Sequence, residues 1–284
     1  MMILPYIKII RPIQWLKNLI LFFPPFLGGT LFQQQSFFSA VIAFSAFCIA
    51  SSSVYIFNDI NDRDADKQHP VKKLRPLPSC EINIIAAYIF SVILLVAAIY
   101  FATLISFKFL IFMLSYLLVS ISYSVLLKNF PVIDIFCIAS GFIFRLLAGG
   151  EVFNIMISEW LFMTVFLLAL FLSTGKRYSE KHSLGGIAAL HRKSLSAYPN
   201  GFLDGVLFMA GSAVLVTYSM YVITRHSSLL LFTVPLCCLG LLRYILRVLS
   251  GRSGDPTESL LRDFPLFLVG VCWAVLVGLS VYGR

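Results

Sequence analysis

The chain has 284 residues, of which 59% are hydrophobic and only 12% are charged, and its formal net charge is +9. Soluble globular domains contain about 25% charged residues, so this composition excludes a water-soluble fold. Long uncharged runs explain the low charge content; they cover residues 18–58, 82–107, 109–127, 205–224 and 264–283. A helix crosses a bilayer with roughly 20 apolar residues, so the sequence predicts an integral membrane protein.

Continuous apolar runs favour helices over the strands of a membrane barrel, in which polar and apolar residues alternate. We therefore predict an all-α polytopic membrane protein that forms one domain over residues 1–284, with nine transmembrane helices. The predicted spans are 17–31, 37–57, 82–105, 109–127, 131–149, 159–175, 202–223, 228–248 and 264–282.

Basic residues are unevenly distributed among the segments that join these spans. With the N-terminus inside, 18 of the 22 Lys and Arg residues fall on the cytoplasmic side, and three fall on the opposite side. The positive-inside rule therefore predicts this orientation, in the plasma (inner) membrane. Because the net positive charge then reflects topology, we predict no nucleic-acid partner.

The first charged segment, RPIQWLKN, begins at Arg11 and is typical of a membrane interface. Trp15 would lie at the level of the lipid headgroups, while Arg11 and Lys17 remain in water. Simple anchoring to the membrane surface explains this pattern as well as a functional role does.

The densest charged stretch, NDINDRDADKQHPVKKLRP, begins at Asn58, where the second span meets the cytoplasm. Asn58, Asp62 and Asp66 are spaced by four residues, so a continuous helix would place them on one face. Like charges at this spacing repel each other, and a divalent cation would relieve the repulsion. Carboxylates together with a diphosphate form a usual environment for Mg²⁺, so we predict a magnesium–diphosphate site.

Two alternatives remain open for this stretch. A solvated loop, in which acidic and basic residues pair at the surface, would also produce such a sequence. If the helix ends earlier, Asp59 and Asp64 could replace Asp62 and Asp66 as ligands. The basic run that follows, with Lys73 and Arg75, is suited to phosphate oxygens.

The fifth span carries two charged residues. Asp134 and Arg145 are eleven residues apart, which places them within roughly 20° of the same helix face but about 16 Å apart along the axis. Charges in a span should face the interior, and this separation predicts that each needs another partner, such as a polar substrate. Tyr123 and Lys128 end the preceding span near the same cytoplasmic mouth.

Several of these segments resemble one protein family. NDINDRDAD fits the NDxxDxxxD motif of the UbiA-type intramembrane prenyltransferase superfamily, whose members have nine transmembrane helices around a cytoplasm-facing cavity. Four segments together are similar to its decaprenyl-phosphate phosphoribosyltransferase branch: RPIQWLKN, the stretch from Asn58, YSVLLKNFPVIDIFCIASGFIFRLLAGG and GKRYSE. GDPTESLLRDFPL, before the last span, also fits.

The resemblance implies roles for further residues. Aromatic prenyltransferases of the superfamily carry a second Asp-rich motif after the sixth span, where this chain has LSTGKRYSEKHS. Lys176 and Arg177 therefore suggest a cationic pair that binds an anionic group directly, although they would also serve as positive-inside anchors. The resemblance adds Gln14, Lys17 and Asn18 as candidates for the pocket.

The function that the resemblance implies is transfer of 5-phosphoribose from phosphoribosyl pyrophosphate to a polyprenyl phosphate, as a step towards a lipid-linked arabinose precursor. Mg²⁺ would be held by Asn58, Asp62 and Asp66, with Asp59 nearby. A prenyltransferase with an aromatic or other small acceptor is the first alternative, and a transporter or lipid carrier is the second. Membrane lipids would surround the protein, and a homo-oligomer is compatible with the sequence.

Overall fold

The computed structural model describes residues 3–32, 37–68, 71–184 and 193–283. Within these ranges the chain forms helices and no β-strand, which confirms the all-α prediction. The α-helices are α1 (Ile3–Ile9), α2 (Phe23–Gly28), α3 (Phe37–Asn61), α4 (Arg63–Lys67), α5 (Ile84–Thr103), α6 (Phe107–Val125), α7 (Ile133–Val152), α8 (Glu159–Leu184), α9 (Lys193–Ala197), α10 (Phe202–Thr224), α11 (Ser228–Leu231), α12 (Thr233–Leu249), α13 (Pro256–Arg262) and α14 (Phe264–Tyr282). The 3-10 helices in these ranges are Pro12–Phe22, Lys72–Leu74 and Leu127–Asn129.

In the described part of the chain, eight helical segments are long and apolar enough to cross a membrane. They are α3, α5, α6, α7, α8, α10, α11 together with α12, and α14. Each corresponds to one predicted span, which confirms a multi-pass membrane protein. Helix α8 continues to Leu184, beyond the predicted end of its span at residue 175.

The predicted first span, 17–31, is not a single α-helix. The 3-10 helix Pro12–Phe22 runs into the short α2, Phe23–Gly28. A 3-10 helix of 11 residues is long for its type, since its hydrogen-bond geometry is poorer than that of an α-helix. Its backbone packs directly on α7, because a Cβ atom at Gly149 would lie only 2.9 Å from Leu21 Cα. The count of nine membrane-spanning helices stays a prediction.

Small side chains allow α3 to lie at the centre of one half of the bundle. Ala43, Ala46 and Ala50 are buried on α3, which packs against α5 and α6. Small residues at helix interfaces let the backbones approach closely, as is common in membranes. Phe47 fills the remaining space, with its ring 5.6 Å from that of Tyr116 on α6. This core fixes the end of α3, where the acidic stretch begins.

Candidate active site

The acidic stretch lies at the C-terminal end of α3. This helix ends at Asn61 and α4 begins at Arg63, so the continuous helix of the sequence prediction is interrupted at Asp62. Backbone hydrogen bonds nevertheless preserve the interval of four residues. The N–H of Asp62 donates to the carbonyl of Asn58 over 2.9 Å, and that of Asp66 donates to the carbonyl of Asp62 over 2.8 Å. The predicted register therefore persists across the break.

Asp59 and Asp66 are buried carboxylates that share one arginine. Arg75 Nη1 donates to Asp66 Oδ2 over 2.6 Å and to Asp59 Oδ1 over 3.2 Å. Arg11, which precedes the first 3-10 helix, also donates to Asp59 Oδ1. Burial raises the pKa of Asp66 above its usual range, although the nearby Arg75 acts in the opposite direction. Two carboxylates that are this deeply buried need the positive charges of Arg11 and Arg75 to compensate them.

Asp59 and Asp64, the alternative metal ligands, lie in different environments. The Asp59 side chain is 2% exposed and lies among the cations, whereas that of Asp64 is 88% exposed. Asp64 forms a surface ion pair with Lys67 over 2.9 Å. Since exposed pairs of this kind contribute little, Asp64 fits the solvated-loop interpretation and Asp59 does not.

Asp62 is held from two directions. Lys128, beyond the end of α6, donates to Asp62 Oδ1, and Asn58 Nδ2 donates to Asp62 Oδ2 over 2.9 Å. Asn58 Oδ1 is buried and has no hydrogen-bond partner among the described residues. An unpaired buried amide oxygen is uncommon, and it is an available ligand for a cation.

We call Asn58, Asp59, Asp62 and Asp66 the aspartate cluster. Its carboxylate and amide oxygens are of the kind that Mg²⁺ prefers. Over the described ranges, no three His, Cys, Asp or Glu side chains are gathered closely enough to hold a metal ion as they stand. Basic side chains instead neutralise the carboxylates. The cluster thus fits Mg²⁺ in the chemistry of its donor atoms, and Asn58 Oδ1 is a donor that no protein group uses.

A second polar contact links the first 3-10 helix to α8. Lys176 Nζ donates to Asp255 Oδ2 over 3.0 Å, and Lys17 Nζ lies 3.8 Å from the same oxygen. Asp255 Oδ1 accepts the backbone N–H of Thr257 over 3.1 Å and so caps α13. Burial is the largest influence on the Asp255 carboxyl and acts to raise its pKa. Lys176 and Lys17 together outweigh burial and hold that pKa well below its usual range.

Asp255 was not among the residues predicted for the site. The sequence DPTE is a helix N-terminus pattern, with an Asp cap, Pro at the first position and Glu at the third. This pattern could have identified the start of α13. It carries no information on which lysines the second carboxylate oxygen reaches.

Lys176 and Arg177, the predicted cationic pair, lie in different surroundings. Adjacent residues on a helix point about 100° apart, so the two side chains diverge. Arg177 is 1% exposed, donates to Glu180, and lies 3.8 Å from Asp134 Oδ2. Lys176 therefore belongs with Asp255, whereas Arg177 belongs to the interior.

Asp134 has the further partners that its distance from Arg145 predicts, and they are protein groups. Tyr198 O–H donates to Asp134 Oδ1 over 2.5 Å, and Ser194 O–H donates to Asp134 Oδ2 over 3.2 Å. The backbone N–H of Val132 donates in turn to the Tyr198 oxygen over 2.7 Å. These bonds fasten α9 and the residues after it to the start of α7.

Arg145 is likewise provided with protein partners. Its Nε donates to Asn18 Oδ1 over 2.7 Å, its Nη1 to the Gly141 carbonyl over 2.8 Å, and its Nη2 to Tyr116 O–H over 3.1 Å. Asn18 itself is fully buried and donates to Ser51 Oγ over 3.3 Å. All three acceptors of Arg145 are uncharged, so its positive charge is solvated by dipoles and a π face rather than by a carboxylate.

The other predicted residues lie around these groups. Gln14 is half-buried on the first 3-10 helix, and Tyr123 is half-buried near the end of α6. Lys73 is exposed, whereas Arg75 of the same basic run contacts the aspartate cluster. His69 and Pro70, which belong to the quoted acidic and basic stretch, lie outside the described residues.

The chain is similar to known proteins in sequence and in fold. The sequence profile of the UbiA prenyltransferase family matches residues 22–277. Decaprenyl-phosphate phosphoribosyltransferase of Mycobacterium tuberculosis is 32% identical over 97% of this chain and 93% of its own length. The protein of the same name from Corynebacterium glutamicum is also 32% identical, over 97% of this chain and 86% of its own. A solved UbiA homologue from Archaeoglobus fulgidus, bound to GPP and Mg²⁺, has a TM-score of 0.75 at 21% identity and covers 99% of this chain and 100% of its own.

Proposed function

The chain belongs to the UbiA prenyltransferase family, as its motifs predict, and we propose that it transfers 5-phosphoribose from phosphoribosyl pyrophosphate to a decaprenyl-type polyprenyl phosphate. Similarity over nearly the whole length to enzymes named for this reaction supports the proposal. The structural observation that carries it is the cationic character of the second contact, in which Lys17 and Lys176 meet. Two lysines suit a phosphate that is bound without a metal.

The aspartate cluster is assigned to the pyrophosphate end of the donor. Mg²⁺ held by Asn58, Asp62 and Asp66, with Asp59 nearby, would supply a Lewis acid that takes up charge on the departing pyrophosphate. Arg75 already lies between two of these carboxylates, where it can donate to phosphate oxygens.

Residues on either side of the cluster position the rest of the donor. Lys73 is exposed, and we assign it to the leaving group or the 5-phosphate. Lys128 keeps Asp62 in place, and Tyr123 lies on α6 just before it. Arg177 and Asp134 lie 3.8 Å apart in the interior, where their opposite charges stabilise each other.

The reaction exchanges one C–O bond for another at ribose C1. The bond from C1 to pyrophosphate breaks, its electron pair leaves with pyrophosphate, and C1 develops oxocarbenium character. An oxygen of the lipid phosphate then forms the new bond from the opposite face. The acceptor is already anionic at neutral pH, so no side chain must remove a proton. The protein contributes positioning and fixed charge.

The lipid phosphate is assigned to the side of Lys17 and Lys176, with Gln14 and Asn18 on the same 3-10 helix. Its isoprenoid tail would lie in a groove that faces the bilayer. The distribution of basic residues supports a site that opens to the cytoplasm of the plasma membrane. The product would be a lipid-linked precursor of arabinose.

Two parallel reactions with purified protein in detergent and Mg²⁺ test the assignment. One contains labelled phosphoribosyl pyrophosphate and decaprenyl phosphate, and the other contains a labelled prenyl diphosphate and 4-hydroxybenzoate. Label in an extractable lipid product of the first reaction alone is expected. Transfer in the second alone would mean that the aspartate cluster binds a prenyl diphosphate. Transfer in neither would contradict both activities.

A further inference from the structure

Two lysines share one carboxylate, and an arginine lies near them. Lys17 and Lys176 both contact Asp255, and Lys17 is within electrostatic range of Arg145. Arg11 is also within range of Lys17, but its charge is matched by Asp59. With Lys17 protonated, three cations and one carboxylate give the group of Lys17, Lys176, Arg145 and Asp255 a net charge of +2. Burial, and then the nearby Lys176, lower the pKa of Lys17 to about 7, so a bound anion would favour this protonated form. We call these four residues the basic cluster.

Burial makes this excess charge consequential. Arg145 is 5% exposed, and its three hydrogen-bond acceptors are all neutral. Lys17 Nζ is 3.8 Å from Asp255, which is beyond hydrogen-bond distance, and its side chain is only 18% exposed. Cations removed from water are costly unless an anion compensates them. The cluster is thus prepared for an anionic ligand.

The carboxylate of this cluster is held on a closely packed loop. Tyr244 O–H donates to the Gly254 carbonyl over 2.6 Å, and Ser179 O–H donates to the Arg252 carbonyl over 3.0 Å. A Cβ atom at Gly254 would lie 2.7 Å from the Gly175 carbonyl carbon, so the loop touches α8 backbone to backbone. Asp255 is therefore a fixed charge of the pocket and sets how much positive charge a ligand meets.

We propose that the basic cluster is a binding site for a phosphate monoester dianion, and that Asp255 makes it select a monoester over a diphosphate. A phosphate monoester carries about 1.5 to 2 negative charges at pH 7, which matches the charge left unbalanced. A diphosphate carries more negative charge than the cluster can neutralise while Asp255 is present. The selection concerns charge, and the apolar tail plays no part in it.

Both substrates of the proposed function carry such a group, and the inference rests on that function for their identity. The polyprenyl phosphate has its headgroup, and phosphoribosyl pyrophosphate has its 5-phosphate. The lysines provide direct donors to phosphate oxygens. Arg145, which is buried and hydrogen-bonded to Asn18, adds positive charge. Asp255 contacts the lysines rather than the substrate, so it is a positioning residue.

Equilibrium binding without Mg²⁺ and without turnover tests the inference. Farnesyl phosphate, farnesyl diphosphate and ribose 5-phosphate are titrated separately into the detergent-purified chain, its Lys176→Met variant and its Asp255→Asn variant. Lys176→Met should weaken binding of a monoester about tenfold, which is about 1.4 kcal/mol. Loss for farnesyl phosphate identifies the lipid as the source, and loss for ribose 5-phosphate identifies the donor.

Asp255→Asn adds one unbalanced positive charge to the pocket. The ratio of the farnesyl diphosphate Kd to the farnesyl phosphate Kd should fall about tenfold in this variant. Asp263→Asn is the matched control. Asp263 also caps a helix and also pairs with arginines, but its partner at 2.9 Å is Arg243, which is not part of the basic cluster. That control should leave the ratio unchanged.

Two results would overturn the inference. Unchanged binding of all three ligands by Lys176→Met would show that the basic cluster is not a phosphate site. If Asp255→Asn weakens the binding of farnesyl phosphate and farnesyl diphosphate by the same factor, as a general loss of structure would, then Asp255 does not select between them. Lys176→Arg, which keeps the charge, should retain affinity and so separates charge from folding. Because these titrations involve no transfer, their failure removes the phosphate site at the basic cluster, whereas the transfer assay tests the reaction itself separately.

Discussion

Replacement of Gly254 by alanine should displace the loop that carries Asp255. The added methyl group would lie 2.7 Å from Ser179 Oγ and closer still to the Gly175 carbonyl oxygen. Non-bonded heavy atoms meet at about 3.5–4.0 Å, so the loop must retreat by about 1 Å. The hydrogen bond from Lys176 to Asp255, now 3.0 Å long, would then exceed hydrogen-bond distance.

The size of the effect follows from this overlap. Forcing a methyl group into a closely packed contact costs about 1–3 kcal/mol. The contact at Gly254 is made with the backbone of α8, which cannot turn aside as a flexible side chain would. The hydrogen bond from Tyr244 to the Gly254 carbonyl, 2.6 Å long, would be strained as well. We therefore expect a destabilisation in the upper part of that range.

Gly205→Ala is the matched control, because nothing lies within 4 Å of a Cβ atom at that position of α10. Alanine is favoured over glycine in a helix by up to about 1 kcal/mol, so this variant should be as stable as the parent or more stable. Thermal unfolding in detergent compares the two variants. The phosphate-to-diphosphate binding ratio of Gly254→Ala should shift in the same direction as that of Asp255→Asn. Unchanged unfolding and an unchanged ratio would refute the close packing of this loop.

Three further predictions concern individual side chains. Asp59→Asn should lower kcat/KM for transfer at least about 100-fold, because Asp59 is buried among the cations. Asp64→Asn should retain activity, because Asp64 is exposed. Equal activities in the two variants would contradict this distinction. Arg145→Met should destabilise the protein by about 1–3 kcal/mol, since it leaves the buried Asn18 oxygen without its donor, and thermal unfolding measures the loss. The depressed pKa of Asp255 means that the charged carboxylate stabilises the fold above its unfolded-state pKa of about 3.9, and that this contribution is lost as pH falls below that value. Burial, and then Lys176, lower the pKa of Lys17 to about 7, so at pH 8 Lys17 has largely lost the charge that Asp255 stabilises. Asp255→Asn should therefore reduce the unfolding temperature more at pH 6 than at pH 8, and an equal or larger reduction at pH 8 would contradict this assignment.

The membrane spans are the part of the fold that sequence predicts well. Their limits follow from uninterrupted apolar runs, since a helix in a bilayer must be apolar over its whole crossing. The predicted 264–282 and the observed Phe264–Tyr282 coincide for this reason. The first span differs because the same apolar composition suits an α-helix and a 3-10 helix. Packing of Leu21 on Gly149, which lies far away in sequence, accompanies the 3-10 form.

The candidate site was predictable only where its residues are close in sequence. The spacing of Asn58, Asp62 and Asp66 survives in the backbone hydrogen bonds across the break at Asp62. The contact between Lys176 and Asp255 joins residues 79 positions apart and depends on the tertiary fold. Local patterns indicate a helix cap at Asp255, but no periodicity reports which distant lysine it meets.

The same limit explains the two charged residues of α7. Their spacing predicts a shared helix face and interior positions, and both side chains are buried. It does not predict their partners, which come from other elements: Tyr198 for Asp134 and Asn18 for Arg145. Buried polar groups require partners, yet sequence alone does not distinguish a protein partner from a ligand.

A dual-label experiment tests phosphoribosyl transfer most directly. Phosphoribosyl pyrophosphate that carries ¹⁴C in its ribose and ³²P in its pyrophosphate is incubated with decaprenyl phosphate, Mg²⁺ and the purified protein. The proposed reaction places ¹⁴C in the extractable lipid and releases an equal amount of ³²P as pyrophosphate in water. Recovery of ³²P in the lipid, or of no label there while the protein remains folded, would contradict it.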